Sequence, residues 1–161
     1  MADLLQHVVN GLSLGAMYAL IALGYTMVYG VLKFINFAHG EIFMLGAYAG
    51  FYVGNYLGAN GEKQGLWIFL PVLFISMAVT ALIGFLVEKL AYRPLRKAPR
   101  LNVLITAVGV SLLFQFGAQM VFGPNPRPFP TLIDLGATYD LGLFQVDLIQ
   151  LVVIAVALLL M

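Results

Sequence analysis

The chain has 161 residues, of which 62% are hydrophobic and only 9% charged, and its formal net charge is +1. A soluble domain carries about 25% charged residues, so this chain lacks the polar surface that a water-soluble fold needs. Near-neutral charge gives no case for a nucleic-acid partner, and the absence of cysteine excludes disulfides, thiolate metal sites and cysteine nucleophiles.

The charges that remain are confined to a few places. None lies between Asp3 and Lys33, between Glu41 and Glu62, between Lys63 and Glu88, or between Arg100 and Arg127. Each gap holds the roughly 20 residues that cross a ~30 Å hydrocarbon layer as a helix. The ~10-residue alternating segments of a membrane β-barrel are missing. The expected fold class is therefore all-α: a polytopic helical integral membrane protein with four full transmembrane helices and the start of a fifth. The spans fall at about residues 5–32, 41–57, 66–90, 101–122 and 147–161. No cleavable signal peptide is expected, because Asp3 replaces a basic leader and the first apolar run is too long.

Span one carries Gly11, Gly15 and Ala19 at four-residue spacing, a small-residue face on which another helix can approach closely. Between spans one and two stands "INFAHGE", which sets Asn36, His39 and Glu41 within six positions of an otherwise apolar chain. Asn36 is expected to cap the following helix and Glu41 to sit in its first turn near the positive dipole end. Gly40 permits a bend there. Ionisable groups at membrane depth are functional suspects, so Asn36, His39, Gly40 and Glu41 form a candidate motif at the membrane boundary.

Span two contains Gly46, Gly50, Gly54 and Gly58, a ladder on one helix face. Tyr48, Tyr52 and Tyr56 keep the same spacing two residues out of phase, which puts them on roughly the opposite face. Helix packing explains both stripes, and a path lined by Tyr48 and Tyr52 is the alternative for the second. Span three aligns Ser76, Thr80 and Gly84 with Glu88, and span four carries Ser111, Gln115 and Gln119. Such groups are expected to hydrogen-bond between helices, with Gln115 and Gln119 as further path-lining candidates. Glu88 is expected to pair locally with its neighbour Lys89 or to reach the interface.

"YRPLRKAPR" between spans three and four concentrates Arg93, Arg96, Lys97 and Arg100, which marks this loop as cytoplasmic. The Lys33–Glu41 region is then inside as well, and the N-terminus, "NGEKQG" and the proline-rich "GPNPRPFPTLIDLGATYDLG" are outside. Prolines 124, 126, 128 and 130 forbid a helix and favour a stiff, extended external loop. The last run is apolar from Leu148 except for Gln150 and reaches only Met161, which reads as a span cut in mid-helix.

"NGLSLGAMYALIALGYTMVYGVLKFINFAHGEIFMLGAY" and "EKLAYRPLRKAPRLNVLITAVGVS" together resemble the permease of high-affinity branched-chain amino acid ABC importers, of the H-subunit type of the Liv system. The resemblance covers nearly all of the chain and corresponds to the N-terminal half of such a permease. It implies a transport subunit and no enzyme, in a bacterial inner membrane. It also implies a second permease subunit, two cytoplasmic ATPase subunits and a periplasmic binding protein that delivers leucine, isoleucine or valine. No cofactor is expected in this chain: it has no Gly-rich loop before a Lys-Ser/Thr pair, so ATP is left to the partner chains. Urea-type permeases share an "AHGE" element and supply the alternative substrate class. An intramembrane enzyme finds little support in two isolated histidines, and a passive channel would need a filter or a ring of charges that is not seen.

Overall fold

The computed structural model describes residues 2–59, 65–133, 138–140 and 145–160. The connection at 60–64, expected outside, lies beyond the described residues, as do 134–137, 141–144 and Met161. Five α-helices follow in chain order: α1 (Ala2–Leu32), α2 (His39–Tyr56), α3 (Leu66–Val87), α4 (Arg100–Phe122) and α5 (Leu148–Leu160). A short antiparallel ribbon, β1 (Thr138–Asp140) with β2 (Gln145–Asp147), precedes α5 and pairs Tyr139 with Val146. Among the described residues all other regular structure is helical, and the ribbon is too small to alter the all-α class.

Among the described residues three helical stretches are long and apolar enough to cross a membrane: Leu4–Gly30, Leu66–Leu95 and Leu101–Phe122. α2 has 18 residues and so reaches about 27 Å at 1.5 Å per residue. Its three tyrosines, Asn55, His39 and Glu41 also make it the most polar of the long helices.

Two compact units divide the chain: residues 1–31 with 135–161, and residues 32–134. In the first, α1 and α5 meet through polar side chains. Gln150 Nε2 donates to Asn10 Oδ1 at 3.1 Å, and Gln6 Nε2 donates to the same oxygen at 3.2 Å. Ser13 is buried on α1, whereas Gly11 and Gly15 are exposed and a side chain at either would meet nothing within 4 Å.

In the second unit α2 packs along α3, and α4 touches both α2 and the segment that ends α3. That segment is a π-helical turn, Glu88–Tyr92, followed by a 3-10 turn, Arg93–Leu95. Pro94 suits the tight turn, since its ring fixes φ and it has no N–H to satisfy. α4 stops at Gly123, whose φ of 85° is open to glycine and whose N–H bonds Gln119 O at 3.0 Å. Pro124 then forbids a further helical turn, and residues 124–133 run on without regular structure.

Candidate functional site

Lys33, just after α1, has a φ of 60°, uncommon for a residue with a side chain. The chain then turns through residues 34–38 into α2. Asn36 organises this turn, although it does not cap the helix as its sequence position suggests. The cap position is Ala38, at φ −76° and ψ 1°, with no side-chain bond. Asn36 lies two residues earlier, where its Oδ1 accepts from Ala38 N–H at 3.1 Å and its carbonyl accepts from His39 N–H at 3.2 Å. An asparagine two residues before a free N–H forms a local turn more readily than a cap.

The same Oδ1 accepts the hydroxyl of Tyr92 at 2.6 Å, across 56 positions of sequence. Tyr92 is 3% exposed and Asn36 7%, so water does not compete for this bond. The Tyr92 ring meets Phe34 edge-on at 5.0 Å. Around the pair lies an apolar cluster of Ala38, Ile42, Val87 and Ala107. A buried hydrogen bond of this kind contributes about 0.5–1.5 kcal/mol, and an amide left unsatisfied costs about 1–3 kcal/mol.

His39 and Glu41 occupy the first turn of α2, where the backbone N–H dipoles favour a carboxylate. Glu41 Oε2 is buried with no hydrogen-bond partner among the described residues. Gly40 is helical, and a side chain there would meet nothing within 4 Å. The backbone departure therefore sits at Lys33, not at Gly40. In the basic loop, Arg96 Nη2 donates to Glu88 Oε1 at 2.6 Å, with Arg96 largely exposed. Arg96, eight positions on, replaces Lys89 as the partner of Glu88, because the tight turns fold the chain back. Lys89 instead lies 5.7 Å over the Phe85 ring. Arg93 and Lys97 are exposed, and Arg100 begins α4.

The glycine ladder of α2 faces two different partners. A side chain at Gly46 would strike the Thr80 hydroxyl, and one at Gly50 would approach Ser76 Oγ at 2.9 Å and Phe129 at 3.4 Å. At Gly54 it would meet Pro130 at 3.0 Å and Leu132 at 3.2 Å. Gly58 does not join this face: it lies past the helix at φ 83°, with nothing within 4 Å. The hydroxyls of α3 do not bridge to α2 as expected. Thr80 Oγ1 donates to Ser76 O of its own helix at 2.7 Å, the ordinary back-bond of a helical threonine. Ser76 Oγ is buried without a partner among the described residues.

The proline-rich segment packs on this unit near the start of α3. Leu132 O accepts from Gly65 N–H at 3.0 Å, which ties the segment to the start of α3. Arg127 donates through Nη2 to Phe122 O at 2.7 Å and through Nη1 to the Tyr52 hydroxyl at 3.2 Å. Its guanidinium also lies about 6 Å from the rings of Phe51 and Tyr52. Tyr48 stacks on Phe122 at 4.3 Å with the rings 14° apart, and Tyr56 is almost fully exposed. Gln115 and Gln119 stand exposed on α4 and join neither hydrogen-bonded group among the described residues.

Two cavities adjoin here. An open, almost wholly apolar one of about 610 Å³ lies between α2 and α3, bordered by Phe43, Gly46, Leu73, Met77 and Phe129. A smaller one of about 140 Å³ is bordered by Tyr48, Phe51 and Arg127, and shares Ala47 and Phe129 with the first. Tyr92, Arg127 and Phe129 had no assigned role in the sequence. For Arg127 a signal existed: it is the lone charge between Arg100 and Asp134.

The protein family described as branched-chain amino acid transport system / permease component matches residues 7–161. The chain belongs to this family. The permease protein BraD of a high-affinity branched-chain amino acid transport system in Pseudomonas aeruginosa is 43% identical over 129 residues, or 80% of this chain and 42% of that protein. LivH of Escherichia coli K12, named for the same kind of system, is 40% identical over 131 residues, covering 81% of this chain and 42% of LivH. The chain thus spans less than half the length of these relatives. No solved structure shows significant similarity to it. Family membership and the apolar helices together make it a multi-pass membrane protein.

Proposed function

We propose that this chain is part of the transmembrane permease subunit of an ATP-driven importer for leucine, isoleucine and valine. The observation that carries this reading is the family match over residues 7–161, supported by two relatives at 40–43% identity. The system would comprise a second permease subunit, two cytoplasmic ATPase subunits and a periplasmic binding protein, in the inner membrane of a bacterium. ATP would be bound and hydrolysed by the ATPase chains, with no cofactor held here.

On this reading α1, α2, α3 and α4 each cross the bilayer and α5 begins a fifth crossing. α2 is short, but it packs along α3, and its polar first turn suits a membrane boundary. Arg93, Arg96, Lys97 and Arg100 hold their loop in the cytoplasm, and the strap at 124–133 lies outside. Asn36, His39, Gly40 and Glu41 then lie at the inner mouth, where the Asn36–Tyr92 bond fastens the turn into α2 to the end of α3. Their role is to hold that end in register while access alternates, without touching the amino acid.

Uptake by cells tests the reading. Deleting the gene for this chain should abolish high-affinity uptake of radiolabelled leucine, isoleucine and valine, and restoring it should return all three. Unchanged uptake of all three, with loss of urea uptake, would move the protein to the other substrate class.

A further inference from the structure

The two adjoining cavities present complementary chemistry. The larger is mostly apolar, with the hydroxyls of Ser76 and Thr80 on its wall, so an aliphatic side chain entering it loses water against a mainly hydrocarbon surface. The smaller, of about 140 Å³, lies beside a guanidinium. Arg127 has five N–H donors in all, and Phe122 O and the Tyr52 hydroxyl account for two of them. These contacts fix the plane of the guanidinium, and the rings of Phe51 and Tyr52 lie beside it. A fixed guanidinium that keeps three donors without a partner among the described residues matches a carboxylate in shape as well as charge.

Phe129 stands where the two spaces join. Its ring lies against Gly50, where no side chain blocks it, and Pro130 and Leu132 seat the strap on Gly54. The strap that carries the cation is thereby held at the edge of the apolar space.

We propose that Arg127 and the α2–α3 cavity form a binding site for a free aliphatic α-amino acid, with its carboxylate on Arg127 and its side chain beyond Phe129, between Phe43, Leu73 and Met77. This rests on the function proposed above and adds a recognition site to it. The ammonium is left in the smaller cavity, beside the aromatic side chains of Tyr48 and Phe51 that line it. The larger cavity, about 610 Å³ and open, has room for any of the three branched side chains, so leucine, isoleucine and valine should bind alike. A cationic side chain such as that of lysine is rejected, because the lining carries no acidic group and only the Ser76 and Thr80 hydroxyls to offset its lost hydration.

These 161 residues contain no cysteine, so Met77→Cys introduces a single thiol among them, at the larger cavity, and the transporter without that substitution supplies the labelling background. In membranes holding the assembled transporter without its binding protein, L-leucine should slow alkylation of that thiol by a maleimide, and L-lysine should not. Leucinol, which lacks the carboxylate, and the added substitution Arg127→Gln should each raise the half-protecting concentration about ten- to hundredfold, the loss of one charged hydrogen-bonded pair. Arg127→Lys, which keeps the charge but not the fork, should fall between.

Equal protection by leucine and leucinol, or protection unchanged in Arg127→Gln, would overturn the role of the arginine. Intact protection in Arg127→Gln with a lost response to binding protein would assign the cation to a protein partner and overturn the proposal likewise. If Arg127→Gln changes the labelling rate without leucine, the strap has moved and Arg127→Lys decides: protection as weak as in Arg127→Gln counts against the site. A transporter that takes up leucine yet shows no protection at Met77→Cys has no such site. One that takes up no leucine refutes the importer reading instead.

Discussion

The hydroxyl of Tyr92 donates to Oδ1 of Asn36 at 2.6 Å, inside an apolar cluster and next to the first turn of α2. One oxygen thereby fixes two places: the local turn, through Ala38 N–H, and the end of α3, through Tyr92. Tyr92→Phe keeps the ring against Phe34 and removes only the bond. It should lower stability by about 1 kcal/mol, read as a lower melting temperature of the purified protein in detergent. Asn36→Ala also removes the acceptor for Ala38 N–H and should cost more. Equal and negligible losses in both would show that the bond does not hold this end together.

Glu41 follows in the first turn of α2, with a buried Oε2 that has no partner among the described residues. Glu41→Gln keeps the size and removes the charge that the helix start favours. The maximal uptake rate or the protein level should fall by more than the half-saturating substrate concentration shifts, and His39→Ala should act in the same direction. Changed substrate selectivity with normal level and rate would place these residues in the binding path.

The glycine face separates packing from backbone strain. Gly50→Leu should disrupt assembly, because Ser76 and Phe129 already occupy the space, and Gly54→Leu meets Pro130 and Leu132 in the same way. Gly58→Ala meets no atoms and carries only the strain of φ 83°, about 1 kcal/mol. Yield of folded protein by size-exclusion chromatography should fall sharply for the first two and slightly for the third. Full yield with Gly50→Leu would mean that the face is not closely packed.

Topology gives a fourth expectation. Lys97→Cys and Asn125→Cys are both at exposed positions, on the basic loop and the strap. In intact cells an impermeant thiol reagent should label only Asn125→Cys. Labelling of both from outside would contradict the assigned orientation.

The helices were legible because charge is so scarce: the gaps from Asp3 to Lys33, Lys63 to Glu88 and Arg100 to Arg127 bracket α1, α3 and α4. Glu41 in a first turn also followed from local chemistry. The cross-connections did not. Asn36 and Tyr92 are 56 positions apart, and no period links them, so the nearer role of helix cap took precedence. Glu88 was matched with adjacent Lys89 because the π and 3-10 turns that return Arg96 to it leave no pattern in the sequence. Spacing suggests an interhelical bond for Thr80, but its hydroxyl donates to the carbonyl of Ser76 one turn back on its own helix. Gly58 continued the ladder in spacing but lies beyond the helix, where spacing carries no meaning.

The most direct test of the central reading is transport by the assembled complex in sealed vesicles. With ATP inside and loaded binding protein outside, leucine should accumulate against its gradient while ATP is consumed. Omitting either should reduce accumulation to background. Entry that stops at equal concentrations and needs neither ATP nor binding protein would contradict the importer account and indicate a passive channel.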